Sequence, residues 1–160
     1  MMRYLKYCVM FCFTLFLSVS LFSSPLPQTK EKIKPIKIKH CRMNDASLLD
    51  QCSRYNPPFE STFLPKRKEV KSCFYKMSKE RSYIESRLRY PIEDYQAQIT
   101  GFINDGKSYL YFNCMKKGFM SFRFFMKKPL VVCDGGPNFW GLVYCIDTHT
   151  IEGISFNGFL

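Results

Sequence analysis

Apolar positions change period along the chain, and that change predicts the order of its elements. From Lys66 to Arg89, Val70, Cys73, Phe74, Met77, Ile84 and Leu88 recur at three- and four-residue steps, opposite a face carrying Lys71, Lys79, Glu80 and Glu85. That spacing predicts one long helix with an apolar stripe, ended by Pro91. After Tyr95 the period falls to two. Ile99 to Ile103 and Ser108 to Met115 flank Asn104-Asp105-Gly106, and an Asp-Gly pair between alternating arms predicts a hairpin. Leu130 to Cys133 and Phe139 to Ile146, around Asp134-Gly135-Gly136-Pro137, predict a second pair of strands. Asp147 to Thr150 turns the chain into a last strand, Ile151 to Phe156. Nearer the N-terminus, Asn44 caps a short helix running toward Cys52, and Asn56-Pro57-Pro58 stops it. The expected fold is therefore α+β: one long helix packed on a four- to five-stranded antiparallel meander sheet.

The first residues follow a different logic. Arg3 and Lys6 precede an apolar run from Tyr7 to Phe22, then small residues from Ser18 to Ser24, with Ser18 and Ser20 the best-placed pair, and then Pro25 and Pro27. A basic start, an apolar stretch shorter than a membrane span and a small-residue exit describe a cleaved signal peptide over residues 1–24. Residues 25–40 (PLPQTKEKIKPIKIKH) combine prolines with alternating Lys and Ile and predict a basic, extended linker; the second reading of Ile33, Ile36 and Ile38 among lysines is an edge strand or a contact with an acidic surface, which Pro35 interrupts. A single domain over 41–160 follows, and the expected location is exported, periplasmic or secreted.

Export changes the meaning of the cysteines. Cys8 and Cys12 leave with the leader, and Cys41, Cys52, Cys73, Cys114, Cys133 and Cys145 remain. An even set in an exported chain predicts disulfides, with 15 possible pairings. No two of these six lie within zinc-ligand spacing, so no metal is expected, and no cofactor motif occurs. The 24 basic residues against 13 acidic ones give a net charge of +11, and the excess is nine once Arg3 and Lys6 are removed. Such a surface favours an anionic partner: an acidic protein surface, an envelope polymer or a membrane. Nucleic acid fits an exported location poorly.

Candidate chemistry is sparse. His40 and His149 are the histidines, and with the lysines they invite comparison with pancreatic-type ribonucleases, in which imidazoles exchange protons beside a phosphate. That family's Cys-Lys followed by Asn-Thr-Phe is absent, and Asp147-Thr148-His149-Thr150 reads as a turn. A phosphate-directed hydrolase would need both imidazoles in one cleft. No Gly-x-Ser-x-Gly occurs, Glu93 and Asp94 are adjacent and point apart, and Asp134 alone falls short of a calcium loop. No catalytic residue is assigned.

One segment stands out as a binding element. Lys116, Lys117, Phe119, Phe122, Arg123, Phe124, Lys127 and Lys128 place basic residues around a cluster of rings and methionines. Two readings are open. As an exposed loop, the rings enter a membrane interface or a partner's pocket while the cations meet anions. As a strand, Phe122 and Phe124 face the core, Ser121 and Arg123 face water, and lysines guard the ends. The alternation favours the strand.

From Gln96 to the C-terminus, Gln98, Gly101, Asn113-Cys114, Asp134-Gly135-Gly136, Phe139-Trp140 and Asn157-Gly158 carry a resemblance to a loose group of uncharacterised exported bacterial proteins. The resemblance implies a helix followed by an antiparallel sheet, and no activity. Phe119 to Met126 lies outside the shared pattern. The expected function is that of an exported binding or interaction protein, an inhibitor or envelope-surface factor, without chemistry of its own.

Overall fold

The computed structural model describes residues 33–158, and the expected signal peptide lies outside them. The described chain is α+β, with six strands in one mixed sheet. Strand β1 (Lys39–Met43) and the short β2 (Ser61–Phe63) precede helices α1 (Arg67–Lys79) and α2 (Arg81–Glu85). Then come β3 (Tyr95–Asn104), β4 (Lys107–Lys116), the single-turn α3 (Phe122–Phe125), β5 (Phe139–Cys145) and β6 (Thr150–Phe156). The order across the sheet is β1-β3-β4-β5-β6, with β2 also on β3.

The β3–β4 hairpin forms as its turn chemistry dictates. Asp105 (φ 48°) and Gly106 (φ 69°) both occupy the left-handed region, the geometry in which a two-residue turn matches the twist of its strands. Strands β3 to β6 are antiparallel neighbours in chain order. Strand β1 departs from the expected all-antiparallel sheet, since it runs parallel to β3, with Cys41 beside Gln98. The expected linker also ends sooner than residue 40. Ile36 and Ile38 are buried in the core, and their alternation with lysines leads directly into β1.

The helix is shorter than its periodicity predicts. At Glu80 the backbone leaves helical values (φ −102°, ψ 19°), and α2 follows as a separate short helix. Arg81 explains where it goes: its guanidinium binds Glu85 (3.0 Å) and, across the chain, Glu93 through two bonds (3.1 and 2.6 Å). The pair ties α2 to the turn that leads into β3 and holds the Glu93 carboxyl below the usual carboxylate range. Side-chain spacing is blind to such a long-range pair. Asp45 rather than Asn44 caps the first helical turn, and that turn, Ala46–Leu49, is a 3₁₀ turn.

The sheet has two covered faces of different character. One carries Tyr95, Ala97 and Ile99 of β3, Leu110, Phe112 and Cys114 of β4, and Trp140, Leu142 and Tyr144 of β5. Val70, Cys73 and Met77 of α1 and Ile84 of α2 close over it, forming the main core. The opposite face holds Phe102, Tyr109 and Tyr111 under Leu48 and Leu49, and Met115 and Phe139 under Phe125. It also holds Gln96, Gln98, Thr100 and Asn113, all buried. A sheet face with four buried polar side chains needs a cover able to hydrogen-bond to it.

Candidate functional site

The cover is the chain between β4 and β5. Neither Leu130–Cys133 nor the 116–128 segment is a strand. After Lys116 the chain leaves the sheet, makes the single turn of α3 and returns over the polar face to Gly135. The reason lies in its hydrogen bonds. Gln98 Nε2 donates to the carbonyls of Phe125 (2.5 Å) and Lys128 (2.6 Å), and Gln98 Oε1 accepts from Leu130 N (2.8 Å) and Asn113 Nδ2 (3.3 Å). Asn113 Nδ2 also donates to Leu130 O (2.7 Å), and Gln96 Nε2 to Met120 O (3.3 Å). From the other side Gln51 Nε2 reaches Leu130 O (3.2 Å), and Asn157 Nδ2 reaches Val132 O (2.6 Å) and Asp134 O (3.1 Å). Amide side chains thus take the role of a neighbouring strand, satisfying backbone groups that would otherwise be buried unpaired.

Covalent and apolar anchors add to these. Cys52–Cys133 closes an 81-residue separation at the base of the loop, a span for which chain-entropy arguments give about 4 kcal/mol. It is the disulfide among the described residues. Cys41, Cys73, Cys114 and Cys145 are thiols, so the expectation of six bonded cysteines is met for one pair. Cys114 and Cys145 sit on opposite faces of the sheet, one in the main core and the other under Leu48 and Leu49, where neither meets the other. Phe125 is buried against Met115 and Phe139, and Phe119 meets the edge of Phe139 at 5.4 Å.

The residues singled out in the sequence are therefore on a pinned loop, and they divide by role. Lys116 lies over the Tyr90 ring (4.4 Å), while Lys117 donates from its backbone to Asp94 O (2.8 Å) and from its side chain to Glu93 O; these two fix the start of the loop. Phe122 is half-buried beside Phe125. Phe119 and Phe124 remain 59% and 65% exposed, with Met120, Met126 and Val131 also exposed. Arg123, Lys127 and Lys128 are exposed among them, Lys127 above the Phe124 ring at 5.6 Å. No Asp or Glu occurs between Asp105 and Asp134, and among the described residues none of these cations has a carboxylate partner. The outcome is a rigidly backed patch of rings and methionines inside a field of uncompensated positive charge.

Sequence reasoning missed Arg54. Its guanidinium lies beneath this loop, donating from Nη2 to Asn113 Oδ1 and sitting 5.7 Å from the Tyr111 ring centre, and burial lowers its pKa. Its Nε and Nη1 and the Tyr111 hydroxyl have no partner among the described residues. The polar residue types of β3 and β4 were visible as alternation, but that pattern equally describes a face open to water.

The two histidines make separate contacts. His40 packs on Phe74 (5.1 Å), whereas His149 Nδ1 meets Tyr144 Oη (3.0 Å) and Ser72 Oγ (3.3 Å) at the β5–β6 turn. His40 belongs to a cleft on the β1 edge that His149 does not line. Among the described residues no group of three or more His, Cys, Asp or Glu side chains is placed to hold a metal ion. No helix there is long and apolar enough to cross a membrane. Comparison with protein-family models, curated proteins and solved structures finds no match to this chain. Function therefore rests on the geometry of the loop.

Proposed function

We propose that this chain is an exported binding protein that seats its 117–132 loop on an anionic membrane surface. One observation carries the proposal: Phe119, Met120, Phe124, Met126 and Val131 are exposed, with Arg123, Lys127 and Lys128 between them and, among the described residues, no carboxylate paired with those cations. Exposed rings and methionines suit the acyl–headgroup boundary, and the cations suit acidic headgroups above it. A charged polymer would use the cations but leave the rings in water. With about 200 Å² for a phenylalanine, sinking the exposed parts of Phe119 and Phe124 contributes about 3 kcal/mol each. Each of the three free cations adds about 1 kcal/mol near an acidic surface. The loop does not have to order on binding, because Gln98, Asn113, Gln51 and the disulfide already hold it. The leader-like N-terminal sequence supports this reading, since export would bring such a surface to an envelope membrane.

The test is co-sedimentation with vesicles of phosphatidylcholine alone and of phosphatidylcholine mixed with phosphatidylglycerol. Binding should require the acidic lipid. Arg123→Gln with Lys127→Gln and Lys128→Gln should weaken it about a hundredfold, the loss of three charges at about 1 kcal/mol each. Phe124→Ser should weaken it without altering its salt dependence. Absence of binding to acidic vesicles, or equal binding by the triple variant, refutes the membrane reading.

A further inference from the structure

A second basic feature lies at the edge of the sheet, and the loop plays no part in it. Between β1 and the first half of α1 is a cleft of about 390 Å³, rimmed by His40, Arg42, Arg67 and Lys71 and floored by Val70 and Phe74. Arg67 and Lys71 stand one helical turn apart, where like charges repel. Later along the helical segment two cations are compensated: Lys76 pairs with Glu80 at 2.8 Å and Arg81 with Glu85 at 3.0 Å. Among the described residues Arg67 and Lys71 have no such partner, and no carboxylate lines the cleft. Arg42 is held at the rim by donation from Nη1 to Pro65 O (2.7 Å), and the His40 ring is held by Phe74 and by an Nδ1–Ile38 O contact of 3.0 Å. Three cations and an imidazole, two of the four side chains held in place, thus line a cleft that has no carboxylate in its lining.

Among the described residues the outer backbone edge beside this cleft has no partner either. Strand β1 ends the sheet, bonded to β3 on one side, and among the described residues no other segment hydrogen-bonds to the outer edge of Lys39–Met43. Period-two alternation places His40 and Arg42 on the face that also buries Ile36 and Ile38, the face of the cleft. A strand added outside β1 would therefore set every second side chain beside His40 and Arg42 and over the cleft.

We propose that the outer edge of β1 takes up an extended acidic peptide as an added strand, with carboxylates at alternate positions facing His40, Arg42, Arg67 and Lys71. Main-chain bonds supply a general affinity, and the three cations Arg42, Arg67 and Lys71, with the His40 ring beside them, supply the choice of acidic side chains. Lys37 and Lys39 beside the edge disfavour a second copy of this basic chain and favour an acidic one. The residues just before Ile33, with Lys30 and Lys32 against Glu31, do not complement the cleft.

The probe is an acetylated, amidated peptide of sequence TEVEVET, titrated into the full chain by calorimetry and by amide chemical shifts. Saturable binding with shifts concentrated at Lys39–Met43 is expected, and the lysine counterpart TKVKVKT should not bind. Arg67→Glu with Lys71→Glu should weaken binding at least tenfold; an unchanged circular dichroism spectrum would show that the variant is folded, as acids in the first helical turns favour α1. A TEVEVET analogue N-methylated at its central residues keeps every charge but loses strand donors, and it should bind at least tenfold more weakly. No binding of TEVEVET, equal binding of the methylated peptide, or equal binding by the folded double variant each overturns the proposal.

Discussion

The side chain on which the 117–132 loop most depends is Gln98, and its replacement by methionine gives a quantitative test. Methionine keeps the length and shape of the side chain and removes its hydrogen bonding. Gln98 is fully buried and makes four bonds, to Phe125 O, Lys128 O, Leu130 N and Asn113 Nδ2. Phe125 O and Lys128 O belong to a loop with exposed flanks and can regain water by a small displacement. Asn113 Nδ2 retains Leu130 O. Leu130 N loses its side-chain acceptor beneath the loop. Taking about 1 kcal/mol for each neutral bond lost and somewhat more for a buried donor left unpaired, Gln98→Met should cost about 3 kcal/mol. Opening of the loop limits the cost, so the loss should appear first as local opening and then in global stability. With a urea slope of about 1.5 kcal/mol/M, the unfolding midpoint should fall by about 2 M. Exchange of the Leu130 amide should accelerate about a hundredfold, since each tenfold corresponds to about 1.4 kcal/mol. Gln96→Met is the control: it has one loop bond, to Met120 O at 3.3 Å, and should cost about 1 kcal/mol. If Gln98→Met unfolds at the wild-type midpoint with unchanged Leu130 exchange, the amide network does not hold the loop.

Two further predictions concern packing and protonation. A Cβ on Gly141 would stand 2.6 Å from the Tyr111 hydroxyl, so Gly141→Ala should destabilise by about 2 kcal/mol. Adding Tyr111→Phe should recover part of that loss, because it removes the closest contact and an unpartnered buried hydroxyl while leaving ring carbons at 3.0 and 3.1 Å; additive losses in urea unfolding would contradict it. Burial pushes the Cys41 thiol from 9.0 up to about 11 and the Tyr95 phenol up to about 12, and it raises the Cys73 and Cys114 thiols as well. These groups are neutral when protonated, and the fold binds their protons more tightly than the unfolded chain does. Their contribution is therefore intact below about pH 9 and is lost as pH rises toward 11. The urea midpoint should fall steadily over that interval, and a level or rising midpoint would contradict the assignment.

Local chemistry was legible in the sequence wherever neighbours decide the outcome. Asp105-Gly106 requires left-handed backbone, so the hairpin and its register follow from two residues. The apolar steps of Val70, Cys73 and Met77 mark the buried stripe of α1, although the Arg81–Glu93 pair sets where the helix turns aside. The loop could not be read in the same way. Phe122, Arg123 and Phe124 alternate as a strand would, and nothing within that segment reveals Gln98 and Asn113 waiting on the sheet beneath it.

By itself the sequence determined the α+β class, the β3–β4 turn, a strongly basic charge and the one segment where rings and cations concentrate. Those follow from period, turn geometry and composition, each a property of residues close together in the chain. Tertiary structure alone decided that Gln96, Gln98 and Asn113 are buried, that Cys52 meets Cys133, and that Phe119 and Phe124 face outward. A buried polar side chain must find a partner, and an alternating pattern is the same whether that partner is water or a loop 30 residues away.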